Sequence, residues 1–189
     1  MDFSHDVDHS LKVLQGGGLI LYPTDTIWGI GCDATNATAV NRIFNLKQRP
    51  EAKSMIILLA DEKELMQYVA HIDLQVFDYL AKVKKPTTVI YDGAIGLADN
   101  VINSDGTVAI RIVKDTFCKH LIKRFRKPIV STSANLSGDP SPAFFSDIMP
   151  VIWQGVDYIV QYRQKDTAVH APSAIIKWNK DATITVIRE

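Results

Sequence analysis

The chain of 189 residues is poor in cysteine: Cys32 and Cys118 stand far apart and form no CxxC pair. A structural zinc site needs more thiolates or imidazoles at closer spacing, and a secreted disulfide scaffold needs more pairs. Both classes are excluded, and free thiols in a reducing compartment are expected. An excess of either charge is also missing, since Lys+Arg and Asp+Glu both number 21. No global field therefore argues for a nucleic-acid or membrane partner, and an anion site has to come from local clustering. Apolar runs stop at about strand length, so no segment is expected to span a bilayer. The opening MDFSHDVDHSL has no basic stretch followed by an apolar core and does not read as a signal peptide. These absences predict a soluble, cytoplasmic protein. With no repeat, low-complexity tract or linker, one domain over 1–189 is expected.

What is present is ordinary globular composition, 47% hydrophobic and 22% charged. Val7, Leu11 and Leu14 recur at helical spacing, and the glycines at 16–18 stop that helix. A buried strand over 19–22 is closed by Pro23 and followed by a glycine turn, and a helix over 38–47 is closed by Pro50. Strands are predicted at 55–59, 87–91 and 107–112, with two short helices between the first and second of these. Phe117, Leu121, Ile122 and Phe125 mark a further amphipathic helix, after which IVSTSAN runs a strand into small polar residues. A helix near 144–153 and closing strands in DYIV, SAIIKW and TITVI complete the pattern. Several strands follow one another directly, which favours a mixed α/β (α+β) sheet over a regular doubly wound one.

Four constellations carry polar chemistry. In PTDTIWGIGCDA, Thr24, Asp25 and Thr26 follow a buried strand, where open α/β sheets bind ligands. The competing account is an Asx or Ser/Thr turn in which these side chains satisfy backbone amides. The GIGCDA run also fits the dinucleotide fingerprint, but six residues separate it from the strand it should follow directly. In LKQRPEAK, Lys47, Arg49 and Lys53 suit a polyphosphate, although cations at a helix C-terminus are favoured by the dipole alone. In STSANLSGDPS, five of eleven residues bear hydroxyls, more than a helix cap requires. No His–Asp pair accompanies them, so a serine nucleophile is not expected. Around the helix FCKHLIKRFRK, Lys119, Lys123, Arg124, Arg126 and Lys127 offer either a solvated face or an RNA contact.

Taken together, PTDTIWGIGCDA, LKQRPEAK, TVAIR, STSANLSG and PSAII resemble the YrdC/TsaC threonylcarbamoyl-AMP synthases in order and spacing, from about residue 8 to the end. The length fits the short single-domain form. The resemblance implies a YrdC-like fold: a twisted mixed parallel/antiparallel sheet flanked by helices around a large basic concave cavity. It implies a nucleotidyltransferase that makes threonylcarbamoyl-AMP and pyrophosphate from L-threonine, bicarbonate and ATP, with Mg2+ accompanying the ATP. A separate transferase complex would use the product to modify tRNA. By motif position, Thr24, Arg111, Ser133 and Ser173 would bind threonine, with the glycines letting backbone approach it. Lys47 and Arg49 would hold the ATP phosphates and act catalytically, with Thr107, Asn135, Ser141 and Arg188 as further ATP contacts. The chain departs from the family in reading VKKPTT at 83–88 where Trp-Pro-Gly-Pro is frequent, and in Trp28 where tyrosine or phenylalanine is commoner. The alternative reading is a non-catalytic RNA-binding module of the same fold.

Overall fold

The computed structural model describes residues 2–48, 55–179 and 181–189. Helix α1 (Ser4–Gln15) ends at the glycines, where Gly17 takes a φ of +73° that a side chain would oppose. Helix α2 (Ala37–Lys47) starts on Asn36, whose side chain accepts from the Ala39 N–H, and stops with Gln48 in the left-handed region at φ 49°. The stop is thus in place before Pro50, which lies outside the described residues together with Arg49 and Lys53. Helices α3 (Gln75–Lys82), α4 (Thr116–Phe125) and α5 (Pro150–Gln154) complete the set, along with three short 3-10 turns. The helix expected near 144–153 is divided into a 3-10 turn, Phe145–Asp147, and α5. Pro150 has no N–H to donate and holds Met149 extended, so it can only begin a new helix.

The strands are β1 (Ile20–Tyr22), β2 (Gly29–Gly31), β3 (Ile56–Leu59), β4 (Thr87–Asp92), β5 (Thr107–Ile112), β6 (Ile129–Ser133), β7 (Tyr158–Ile159), β8 (Ala174–Trp178) and β9 (Ile184–Arg188). Among the described residues they form one nine-stranded sheet in the order β7-β1-β2-β6-β3-β5-β4-β8-β9. The pairs β1–β7, β3–β5 and β4–β8 run parallel and the others antiparallel, so the sheet is mixed as expected.

One expectation is overturned at β2. The glycines of GIG do not make a turn; they pair against β1 and β6 as a buried strand. A Cβ on Gly31 would lie 2.6 Å from the Tyr22 ring and 2.8 Å from the Val130 carbonyl, and one on Gly29 3.0 Å from Ser131 Oγ. These glycines make room for neighbouring strands and side chains of this chain itself, and neither lines the cavity described below.

Alternation along the strands splits the core in two. One face sends Ile57, Leu59, Val89, Val108, Ile110 and Val130 against Val40, Ile43 and Phe44 of α2, Val76 of α3 and Ile152 of α5. The other sends Ile20, Tyr22, Leu58 and Ile129 against Val7, Leu11 and Leu14 of α1 and Phe117, Leu121 and Ile122 of α4. Helices α1 and α4 cover only part of that second face, and the part they leave open is a cavity.

Candidate active site

The cavity floor is one row of residues across four strands. Ser131 of β6 lies opposite Ile56 of β3, Ile56 beside Ala109 of β5, and Ala109 opposite Ile90 of β4, and all four line a cavity of about 300 Å³. Its walls come from loops and strand ends. Thr26 and Ile27 follow β1, Thr132 and Ser133 end β6, Ser141 stands in the next loop, and Ser173 precedes β8. Arg188 closes the side formed by β9. There the β8–β9 register pairs Ile175 with Arg188 and Ile176 with Val186, leaving Ile187 as an extra residue. That bulge aims both Ile187 and Arg188 at the cavity, where strict alternation would turn one away.

Two guanidinium groups share this cavity. Arg111 on β5 is 3% exposed and lies 3.1 Å from the carboxylate of Asp25. Arg188 donates through Nε and Nη2 to the Ser173 carbonyl, at 3.0 and 2.8 Å, and Ser173 Oγ shares a 2.9 Å bond with Thr88 Oγ1. Partial burial, together with the Arg111 charge, pulls the Arg188 guanidinium below its ordinary value. It nevertheless stays a cation at neutral pH. Asp115, at the N-cap of α4, has its carboxyl pushed up by burial and by the nearby charge of Asp25.

The candidate residues divide into two groups. Arg111, Ser133, Ser141, Ser173 and Arg188 are brought together around the cavity. Thr24 is not among the residues lining it: its hydroxyl donates to the Ile27 carbonyl and accepts from the Thr26 N–H, shaping the turn that presents Thr26 and Ile27. The turn account thus describes Thr24, whereas Asp25 pairs with an arginine instead. Thr107 stands at the far end of β5 and outside the lining, with its hydroxyl donating to Asp105 and accepting from Asn103. Asn135 donates to the carbonyls of Leu136 and Asp139 and fixes the loop behind β6. Lys47 is 1% exposed, and its ammonium donates to the carbonyls of Ser133 and Asn135, so it supports the end of β6 from beneath. Arg49 falls outside the described residues.

Sequence reading did not single out Asp25 as a partner of Arg111, and it read Thr26 and Thr132 only as members of their polar runs, without an individual role; both line the cavity. In the basic constellation around α4, Arg124 pairs with Asp8 and Lys127 with Asp33, both at 2.6 Å, so two of its five cations are already neutralised within the chain.

The model of the Sua5/YciO/YrdC family, described as telomere recombination, matches residues 12–189. A threonylcarbamoyl-AMP synthase of Vibrio cholerae is 32% identical over 178 residues, covering 93% of this chain and 94% of that protein. The solved structure of the H234A/Y235A variant of P. abyssi Sua5 superposes with a TM-score of 0.85 at 25% identity, over 97% of this chain. This chain spans only 56% of that one. E. coli YciO shares the fold, with a TM-score of 0.84 at 23% identity over 98% of this chain and 89% of its own.

Proposed function

The chain belongs to the Sua5/YciO/YrdC family, and from that premise we propose that it is an L-threonylcarbamoyladenylate synthase. It joins L-threonine, bicarbonate and ATP into threonylcarbamoyl-AMP and releases pyrophosphate, a nucleotidyl transfer. The observation that carries this reading is the pairing of two guanidinium groups, Arg111 and Arg188, with a ring of hydroxyls in one cavity. Such a lining suits a substrate pair that is anionic at both the amino-acid carboxylate and the phosphates.

The chemistry asks little covalent work of the protein. The threonine amine takes up carbon dioxide derived from bicarbonate, and a carbamate oxygen attacks the α-phosphorus. The bond to pyrophosphate breaks as the new P–O bond forms. No protein nucleophile enters, and neither cysteine offers one, because burial pushes both thiols well up. Catalysis rests on bringing two anions together and offsetting charge as pyrophosphate leaves. Arg111 and Ser173 hold the threonine carboxylate, Ser133 and the turn built on Thr24 frame the amino acid, and Arg188 and Ser141 face the nucleotide, while a phosphate role for Arg49 is what its motif position implies. Lys47 and Asn135 serve by fixing the β6 loop, and Thr107 stands apart from the lining. Magnesium enters as MgATP, part of the substrate. The product passes to a separate transferase complex acting on tRNA.

The RNA-module alternative is weaker, since the basic cluster around α4 is partly neutralised by Asp8 and Asp33 while the cavity would have no purpose. The deciding experiment is pyrophosphate release by the purified protein, with and without threonine and bicarbonate. Release that requires both is expected. Release indifferent to threonine, or none at all, would overturn the synthase reading.

A further inference from the structure

The connection from β7 to β8, residues 160–173, has to cross the sheet, because β7 is one edge strand and β8 lies next to the other. Asp6 holds its first turn by accepting from the Gln161 and Tyr162 N–H groups at 2.9 and 2.8 Å. From Arg163 to Pro172, the one hydrogen bond to a part of the chain outside this connection, among the described residues, is Arg163 Nη1 to the Thr24 carbonyl at 2.9 Å. The same guanidinium donates through Nε to Asp166 at 3.0 Å and through Nη2 to His170 Nε2 at 2.8 Å. Arginine has no acceptor, so Nε2 of His170 accepts and cannot also donate to Asp166, 3.5 Å away. Three nitrogens of Arg163 are thus spent inside the protein, and their effect is to tie two loops together.

Both loops end at the cavity. The Thr24 turn presents Thr26 and Ile27, and the connection reaches the cavity with Pro172 and Ser173. Of these, Ile27 is half-buried and Pro172 exposed, so both carry surface that a ligand can meet. Turn and connection pack closely, leaving a space of only about 10 Å³ among Thr24, Thr26, Ile27, Arg163, Asp166 and His170. The Thr24 hydroxyl already closes its own turn through the Ile27 carbonyl and the Thr26 N–H. The Arg163 bond is therefore not needed to form the turn; it fixes where the turn sits against the connection. Arg163 does so from a φ of 66°, a left-handed value that a side chain opposes and that persists only where the surroundings over-determine it, commonly beside functional sites.

We propose that Arg163 is a positioning residue for the amino-acid end of the cavity: by holding the Thr24 carbonyl and His170 together it sets the separation of the Ile27 and Pro172 parts of the wall that frames threonine. This rests on the synthase reading above.

The test is Arg163→Met, which keeps the stem and removes the donors, read by deuterium exchange and by threonine-dependent pyrophosphate release. In the folded variant, amides in 24–28 and 166–173 exchange about tenfold faster or more. The threonine KM rises about fivefold or more, while kcat and the ATP KM stay within about twofold, the pattern of lost ground-state binding. His170→Leu removes one partner of the guanidinium and raises the threonine KM by about threefold, and His170→Gln, whose amide oxygen accepts in place of Nε2, restores it. Unchanged exchange in Arg163→Met overturns the proposal, because the two loops would then be held by other contacts. Faster exchange with an unchanged threonine KM overturns it as well, since the tie would be structural only. An ATP KM that rises as far as the threonine KM overturns the placement at the amino-acid end. Should Arg163→Met fail to fold, the His170 variants decide, and a threonine KM indifferent to His170→Leu overturns the proposal. Wild-type protein with no threonine-dependent release overturns the synthase reading and this one with it. Active wild type with an indifferent Arg163 variant overturns only the latter.

Discussion

The second face of the sheet holds two regions built on the same strands and opposite in character. Under α1 and α4, Leu58 and Ile129 meet Val7, Leu14, Phe117 and Leu121 in a closed apolar layer. One row along, Ile56 and Ser131 belong to the cavity, with Arg111, Thr132, Ser133, Ser173 and Arg188 around them. Strand β3 contributes to both, so strand geometry does not separate them. The difference lies in what covers them. Where a helix lies on the sheet, apolar side chains fill most of the volume, although α1 also buries Asp6 and Ser10. Where none does, buried polar groups are denser and include the Arg111–Asp25 ion pair, in which Nε and Nη2 of Arg111 have no hydrogen-bond partner among the described residues. Stability is concentrated in the first region, and the proposed substrate contacts lie in the second.

Phe117→Ala is the strongest way to break that comparison. The ring is 1% exposed and makes aromatic contacts with Phe3 and Tyr162, at centroid separations of 5.6 Å in each case. Its removal is expected to lower unfolding free energy by about 3–5 kcal/mol, read by denaturant titration. Among molecules that remain folded, the threonine KM should not move. A change in KM would mean that the two regions are energetically one.

Lys47→Met probes the border. The stem stays and the ammonium is lost, so the carbonyls of Ser133 and Asn135 lose a buried donor. A stability loss of about 1–3 kcal/mol is expected, together with a fall in turnover because Ser133 is a cavity residue. A variant with full stability and no turnover would instead place Lys47 on the phosphates, the role its motif implies. Thermal melting alongside pyrophosphate release separates the two.

The legibility of the molecule follows the same division. Periodicity reported α1, α2 and α4 because an apolar face against a sheet leaves a direct trace in sequence. Strand β2 was hidden, since glycines that make room for Tyr22 and Ser131 look the same as glycines in a turn. In the cavity, the hydroxyl run of β6 was legible from its composition, and Arg111 through resemblance to a family. The direction of each side chain was not. Lys47 points under β6, and Thr24 into its own turn, because local hydrogen-bonding partners compete with a ligand for the same groups. The Asp25–Arg111 pair joins a loop and a strand distant in sequence, and only the folded sheet brings them together.

Asp115→Asn gives the smallest effect and tests where the regions meet. Asp115 caps α4 by accepting from the Cys118 N–H at 3.0 Å, and its second oxygen is buried without a hydrogen-bond partner among the described residues. Burial first, and the neighbouring Asp25 charge after it, push its carboxyl up. A raised folded-state value means that folding disfavours the ionised form. The penalty is absent at pH below the ordinary carboxylate range, where both folded and unfolded chains are protonated. It grows as pH climbs through that range to the raised value, and is constant above it. Asparagine caps equally well and carries no charge, so the variant should melt higher at pH 7, on the order of 1–3 °C. The gain should vanish near pH 3, roughly the lower edge of carboxylate titration. Melting curves at both pH values check this, and a gain that persisted in acid would mean that packing or capping, not charge, had changed.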